Sequence, residues 1–192
     1  MGQLVDRFPV AIIGSGKSKP GTAAYQTAFE IGLGLATRGY AVLCGGRQGV
    51  MAAASAGCRQ AGGFCIGLLP NLDDSPNDHC SIIIATDLGN ANNPIAPDVS
   101  RNRVIVRAAL CVFAVAGEVG TANELRFAWK GSKRVFGLVG PPPPEGYTEE
   151  ATWGHSVGLF SRHGTVEDAF AAFDSFVKEP RPFAASTLAP RK

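Results

Sequence analysis

Short apolar runs alternate along this chain with longer stretches of helical periodicity, and glycine marks most of the junctions. Val10-Ala11-Ile12-Ile13 is closed by Gly14-Ser15-Gly16, the pattern of a buried strand entering a tight turn. From Thr22 to Thr37, the positions Tyr25, Phe29, Ile31, Leu33 and Leu35 among many Ala and Gly predict a helix lying closely on a sheet and ended by Gly39. Tyr40 to Cys44 predicts a second strand, residues 49 to 61 an Ala-rich helix, and Phe64 to Leu69 a third strand stopped by Pro70. That β-α-β-α-β order is half of a doubly wound sheet.

Asn71 to Cys80 is polar and turn-rich, so it predicts a loop, and Ser81 to Ala85 a short strand. Residues 87 to 99 hold no regular pattern. The alternation then resumes: helix from Arg101 to Ala109, strand from Leu110 to Val115, helix from Thr121 to Lys130, strand from Arg134 to Val139. Pro141 to Pro144, running on to Tyr147, predicts a stiff extended excursion. Val157 to Phe160 predicts a last strand, and Thr165 to Val177 a helix with Ala169, Phe170, Phe173, Phe176 and Val177 on one face. The expected fold is therefore a single-domain, three-layer α/β/α Rossmann-like unit over residues 1–178. Its sheet should be mainly parallel, with six to seven strands, followed by a flexible tail over 179–192 that carries three Pro.

Composition narrows the partners. Hydrophobic residues make up 45% of 192, enough for a core, and the formal charge of +2 carries no clustered basic stripe, so no nucleic-acid partner is expected. No apolar run reaches the ~18 residues of a membrane span, and Asp6 stands where a myristoylation motif needs Ser or Thr. Cys44, Cys58, Cys65, Cys80 and Cys111 lack C-x-x-C spacing and lie mostly in apolar runs, which predicts reduced, buried thiols and a cytoplasmic address. His79, His155 and His163 stand apart, so no metal site is expected.

Glycine is the informative excess, at 24 of 192 residues. Three glycine turns follow three strands: Gly14-Ser15-Gly16, Gly45-Gly46-Arg47-Gln48-Gly49 and Gly117-Glu118-Val119-Gly120-Thr121. In a parallel sheet all three lie on one edge, and each is expected to open a helix whose free N–H groups and dipole attract an anion. A phosphorylated small molecule is the ligand this predicts. Ala11 to Ser18 imitates a P-loop, but the strand already occupies its first residues and Pro20 stands where a helix would begin, so ATP hydrolysis is not expected, and Lys17 reads first as a solvated surface cation and second as a point charge beside a phosphate.

The ordered series Cys44-Gly45-Gly46-Arg47-Gln48-Gly49-Val50-Met51, Ile66-Gly67-Leu68-Leu69-Pro70, Ser100-Arg101-Asn102 and Gly120-Thr121-Ala122-Asn123-Glu124 resembles the LOG-like Rossmann superfamily, once called lysine decarboxylases. The similarity is greatest to its molybdenum cofactor carrier-like branch and covers residues 10 to about 177. The resemblance implies a homodimer or homotetramer holding a phosphorylated pterin or nucleotide at the glycine turns, with molybdenum cofactor as the implied cargo. It also implies an alternative, since catalytic members cleave nucleoside 5′-monophosphates to free base and ribose 5-phosphate without a cofactor. Their motif P-G-G-x-G-T-x-x-E falls on Ala116 to Glu124, and their essential Arg on Arg101. Ala116 replaces Pro, a change expected to matter little. Glu118 replaces a Gly that the phosphate approaches, and a carboxylate there either points away or repels the anion.

Several residues carry two readings. Thr121 and Glu124 fit a capping box as well as a phosphate contact and an acid–base group. Arg101, at a predicted helix start, is unfavourable against the dipole and requires an anion nearby. Asn102 adjoins it, Arg47 reads either as a ligand contact or as surface, and Arg103 and Arg107 read as an exposed stripe. Phe127 and Trp129 read as core or subunit contacts, and Asn90, Asn92 and Asn93 as turn formers. A carrier leads over a phosphoribohydrolase, with a sensor of a nucleotide derivative as a third class.

Overall fold

The computed structural model describes residues 8–89, 100–117, 119–138 and 160–179. The elements are β1 (Val10–Gly14), α1 (Ala23–Thr37), β2 (Val42–Cys44), α2 (Val50–Gln60), β3 (Cys65–Leu69), β4 (Ile82–Ala85), α3 (Arg101–Ala108), β5 (Val112–Val115), α4 (Val119–Lys130), β6 (Val135–Leu138), β7 (Phe160–His163) and α5 (Val166–Lys178). The seven strands form one sheet in the order β4-β3-β2-β1-β5-β6-β7, and every described pairing is parallel. This is an α/β Rossmann-like fold. The chain builds outward from β1 to β4, then returns to pair β5 against the other side of β1. That reversal opens a crevice at the carboxyl ends of β1 and β5, where such sheets bind their ligands.

Alternation along the central strands explains the layers. Val10 and Ile12 join Val42, Phe113, Phe136, Phe170 and Phe173 on the face covered by α1, α2 and α5. Ala11 and Ile13 join Leu43, Ile105, Val112 and Phe127 on the face covered by α3 and α4. A strand apolar on both faces must be covered on both, so the continuous run at the start of the chain selects a central position. Phe113 sits at the hub of one layer, with ring centroids 5.0 Å from Phe136 and 5.6 Å from both Phe170 and Phe173.

The small residues of α1 have a different use from the one expected. A Cβ on Gly32 would lie 2.0 Å from the Ala54 carbonyl oxygen, and one on Gly57 would lie 2.0 Å from that of Phe29. These glycines bring α1 and α2 together backbone to backbone; contact with the sheet falls to Ala28, Ile31 and Leu35.

Boundaries otherwise follow the apolar pattern to within about two residues, with one correction. The last strand runs over Phe160–His163, and so shares only Phe160 with the segment expected from its apolar content. As an edge strand it needs backbone pairing more than apolar side chains, and Val135 opposite Phe160 sets its register. Residues 157–159, Pro141 to Tyr147 and the tail from 180 onward lie outside the described residues.

Because Phe173 is fully buried and touches Tyr40, Phe113, Phe136 and Phe170, Phe173→Ala is expected to cost about 3–5 kcal/mol by urea unfolding. Phe176→Ala, at a half-buried position, should cost clearly less.

Candidate functional site

The strand ends are not level. Ala11 pairs with Leu43, so β2 finishes opposite Ile12 while β1 continues to Gly14. The second glycine turn therefore leaves the sheet lower than the first, and the step opens a cleft of about 820 Å³ floored by Ile12 and Ile13. Such a volume suits a nucleotide-sized molecule.

Gly14, Ser15, Gly16, Gly45, Arg47, Arg101, Asn102, Gly120, Thr121 and Glu124 all line this cleft. Gly46, Gly49 and Gly117 stand behind the lining and shape it. Gly46 and Gly49 take φ of +70° and +73°, in the left-handed region that disfavours side chains, and a Cβ on Gly49 would lie 2.3 Å from Ser15 O. The space beside Gly117 is filled by Thr121, whose Oγ1 would lie 2.1 Å from a Cβ placed there. Glu118 lies outside the described residues, and Val119 is the first residue of α4.

Three expectations about the turns change. The first turn does not open a helix: α1 starts only at Ala23, capped by Thr22, whose side chain accepts from Tyr25 N–H. Instead Ser15 O accepts the Val50 N–H at 2.9 Å, so the first turn engages the start of α2. Thr121 is no N-cap, because α4 already begins at Val119. Ala116 is not a neutral replacement for proline. Its φ is +30°, which a pyrrolidine ring held near about −65° cannot adopt. Its N–H also donates to Leu138 O, while its carbonyl accepts from Ser15 N–H at 2.9 Å across the crevice.

Arg101 enters from the start of α3 and is only 5% exposed. Its guanidinium lies so close to Gly45 that a Cβ there would be 2.2 Å from Nη1. Its Nε is buried without a hydrogen-bond partner. Burial pulls the Arg101 pKa below its usual value, and the nearby Glu124 carboxylate opposes that shift. Glu124, projecting from α4 and equally buried, is the anion that a cation at a helix start demanded. Burial pushes the Glu124 carboxyl up to about 7, with Arg101 acting in the opposite direction. Asn102, beside Arg101, reaches Asn123 on α4 at 3.5 Å.

Arg47 is half-exposed and pairs with Asp74 at 3.4 Å. Lys17, read as surface, is exposed and also lines the cleft, as do Gln48, Met51, Asp73, Asp74 and Ser75. Sequence reasoning passed over the loop residues among these because their approach is tertiary. Asn77 fixes that loop, donating its N–H to Gly46 O at 2.8 Å and its side-chain amide to Arg47 O at 3.0 Å. Arg103, Arg107 and Trp129 are exposed and Phe127 is buried. Asn90, Asn92 and Asn93 lie outside the described residues.

With this geometry in view, the profile of the SLOG cluster4 family matches residues 7–157. The chain belongs to this family. It is similar to the molybdenum cofactor binding protein of the phototrophic bacterium Rippkaea orientalis, with 28% identity, a TM-score of 0.76 and coverage of 89% of this chain and 98% of the other. A Moco carrier protein from Chlamydomonas reinhardtii matches at 32% identity and TM-score 0.74, again over 89% and 98%. An uncharacterized protein of Archaeoglobus fulgidus is 35% identical over 137 residues, which are 71% of this chain and 83% of that one. Membership of the LOG-like superfamily and likeness to its molybdenum cofactor carriers agree with the resemblance read from the motifs. Among the described residues no helix is long and apolar enough to cross a membrane.

Glu124 gives this family member a pH signature. The fold holds the carboxyl proton up to about pH 7, whereas the reference value for release is 4.5. Folded protein thus binds more protons between those values, and stability falls as pH rises through that window. Glu124→Gln should remove that fall, as measured by urea unfolding across the window; an unchanged slope would assign it to another group.

Proposed function

We propose that the protein is a binding and carrier module for a phosphorylated pterin or nucleotide, held in the cleft where β1 and β5 diverge. The observation that carries this reading is Arg101, a buried cation in the cleft wall whose Nε has no partner. Glu124 at about 7 is only partly ionised near neutrality, so it does not neutralise that cation fully. A phosphate dianion would complete the balance. In this reading the turns at Gly14-Ser15-Gly16, Gly45 to Gly49 and Gly117 to Thr121 wall the ligand, with the Ser15 and Gly46 N–H groups already given to Ala116 O and Cys44 Sγ, and Arg47 and Asn102 flank it. Relatives whose names record molybdenum cofactor binding or carriage support that cofactor as the cargo.

The protein is further proposed to act as a homodimer or homotetramer in a reducing cytoplasm. Among the described residues β4 is an edge strand, and its Ile82, Ile83 and Ile84, 45%, 37% and 46% exposed, form an apolar strip that supports self-association. Five free thiols support the compartment.

One observation favours a second reading, a nucleoside 5′-monophosphate phosphoribohydrolase. A carboxyl near 7 in the cleft is suited to general acid–base work on an N-glycosidic bond. No cofactor is needed for that chemistry.

Calorimetry with a phosphorylated pterin and a panel of nucleoside monophosphates, alongside an assay for free base, tests both. Under the carrier reading one ligand binds without base release, and Arg101→Ala weakens it about ten- to hundredfold. Arg101→Lys restores only part, because an ammonium lacks the planar fork. Base release abolished by Glu124→Gln would replace the carrier with the enzyme. Binding of a dianion beside Glu124 must also raise its pKa further, so proton uptake near pH 7 is expected from titrations in buffers of different ionisation heat. Uptake should vanish in Glu124→Gln, and its persistence there would place the anion elsewhere.

A further inference from the structure

Three cysteines far apart in sequence meet beneath α2, on the face of the sheet opposite to the one that α3 covers. Cys44 ends β2, Cys65 begins β3, and Cys80 lies two residues before β4. Their sulfurs all lie within 4.8 Å of one another, and Cys65 Sγ is 4.0 Å from Cys80 Sγ. The buried Ser55 of α2 stands over this triangle, with its Oγ 3.5 Å from Cys44 Sγ, 3.2 Å from Cys65 Sγ and 3.4 Å from Cys80 Sγ.

Two details separate this cluster from ordinary packing of thiols. The Ser55 hydroxyl donates its proton to the Met51 carbonyl at 2.8 Å, which leaves its lone pairs turned toward the sulfurs. Gly67 lies opposite Cys44 in the β2–β3 register, and a Cβ there would come 2.9 Å from Cys80 Sγ. The missing side chain is what lets the third sulfur approach.

From this geometry we propose a structural site for a thiophilic d10 cation, zinc(II), ligated by Cys44, Cys65, Cys80 and the Ser55 hydroxyl. Tetrahedral zinc with Zn–S near ~2.3 Å and Zn–O near ~2.1 Å requires S···O edges of about 3.5 Å and S···S edges of about 3.8 Å. The S···O distances of 3.2, 3.4 and 3.5 Å come within about 0.3 Å of that edge, and the sulfur triangle has to contract by at most about 1 Å. All four donors come from the chain, the Ser55 hydroxyl standing where structural Cys3His sites place an imidazole, so no position is left open for a substrate. Binding replaces thiol protons with the metal and leaves one net negative charge, toward which the Gly46 N–H already points, 3.4 Å from Cys44 Sγ.

The position gives the site its role. Cys44 immediately precedes Gly45 and Gly46, and Cys80 closes the loop that Asn77 fastens to the same turn. A metal here would tie the second glycine turn, α2, β3 and that loop into one unit.

The test uses the full chain, purified without metal and kept reduced with a phosphine. Zinc(II), competed against a chromophoric chelator, is expected to bind at one equivalent per chain and to raise the melting temperature. Cobalt(II) in its place should give the intense thiolate charge-transfer and tetrahedral ligand-field bands. Loss of an outer partner alone costs about 10- to 100-fold in metal affinity, so Cys80→Ser, at a half-buried loop position, should lower zinc affinity by at least about a hundredfold. Cys58→Ser, buried beside α1, should leave affinity unchanged. Ser55→Ala should lower affinity by about tenfold and alter the cobalt spectrum, since it removes one donor and keeps the helix. Absence of stoichiometric binding, or binding that survives Cys80→Ser, overturns the site. An unaltered spectrum in Ser55→Ala overturns the four-donor assignment. Phosphate ligands play no part in these readouts, so failure here leaves the cleft reading standing.

Discussion

The parallel pairing of β1 with β5 decides where anything can bind. With Gly14 opposite Val115, both strands end at the same height and their following segments part to opposite faces of the sheet. The β2 strand, two residues shorter at that edge, turns the parting into a cleft with an apolar floor. Had β2 continued level with β1, Gly45 would stand where the cleft now opens and Arg101 would have no wall to lie against. The hydrogen bond from Ser15 N–H to Ala116 O then holds the two lips at fixed separation. A pre-set opening lowers the ordering cost of binding, which is why rigid strand ends serve ligand sites better than free loops.

Within that opening, electrostatics is the organising tension. A guanidinium taken from water loses several kcal/mol unless its partners replace the lost hydration, and the start of α3 adds an unfavourable dipole. Glu124 answers part of this, but its own burial drives its pKa to about 7, so each group is only partly compensated by the other. A fold that needed only stability would replace such a pair by apolar residues of similar volume. On the proposed reading a bound anion supplies a third charge, which would restore the cation's partner and allow Glu124 to keep its proton. Binding and protonation would then form one coupled equilibrium, as the carrier proposal requires.

How much of this could be read from the chain depends on whether the signal is local. Strand and helix order was legible because burial on both faces enforces unbroken apolar runs in central strands such as Val10 to Ile13, and one-sided burial enforces helical spacing in α5. The gathering of glycine turns at one edge followed from parallel topology alone. What escaped is tertiary. The small residues of α1 read in sequence as a face for the sheet, whereas Gly32, with Gly57 of α2, proves to be a contact surface between two helices. The Asp74 and Asn77 contacts to the second turn join residues 27 and 30 positions apart. The capping box at Thr121 was locally well formed, yet α4 starts two residues earlier, so Glu124 turns to Arg101 inside the protein. The thiols of Cys44, Cys65 and Cys80 offered no motif, because their spacing is set by strand register and not by a loop.

Ala116 shows why a motif position cannot be judged by residue class alone. A Pro-to-Ala exchange normally loosens the unfolded chain and little else. Here the residue occupies φ of +30° and uses both its N–H and its carbonyl, bridging β6 and the first glycine turn. Proline could supply neither that angle nor that donor. The lip of the cleft on the β5 side is therefore closed by main-chain bonds, and the chain beyond it enters α4 already at Val119. That early start draws Thr121 into the helix, folds its side chain against Gly117 and sets Glu124 one turn further along, facing Arg101. The main-chain bonds of Ala116 and the early start of α4 together bring Glu124 within electrostatic reach of Arg101.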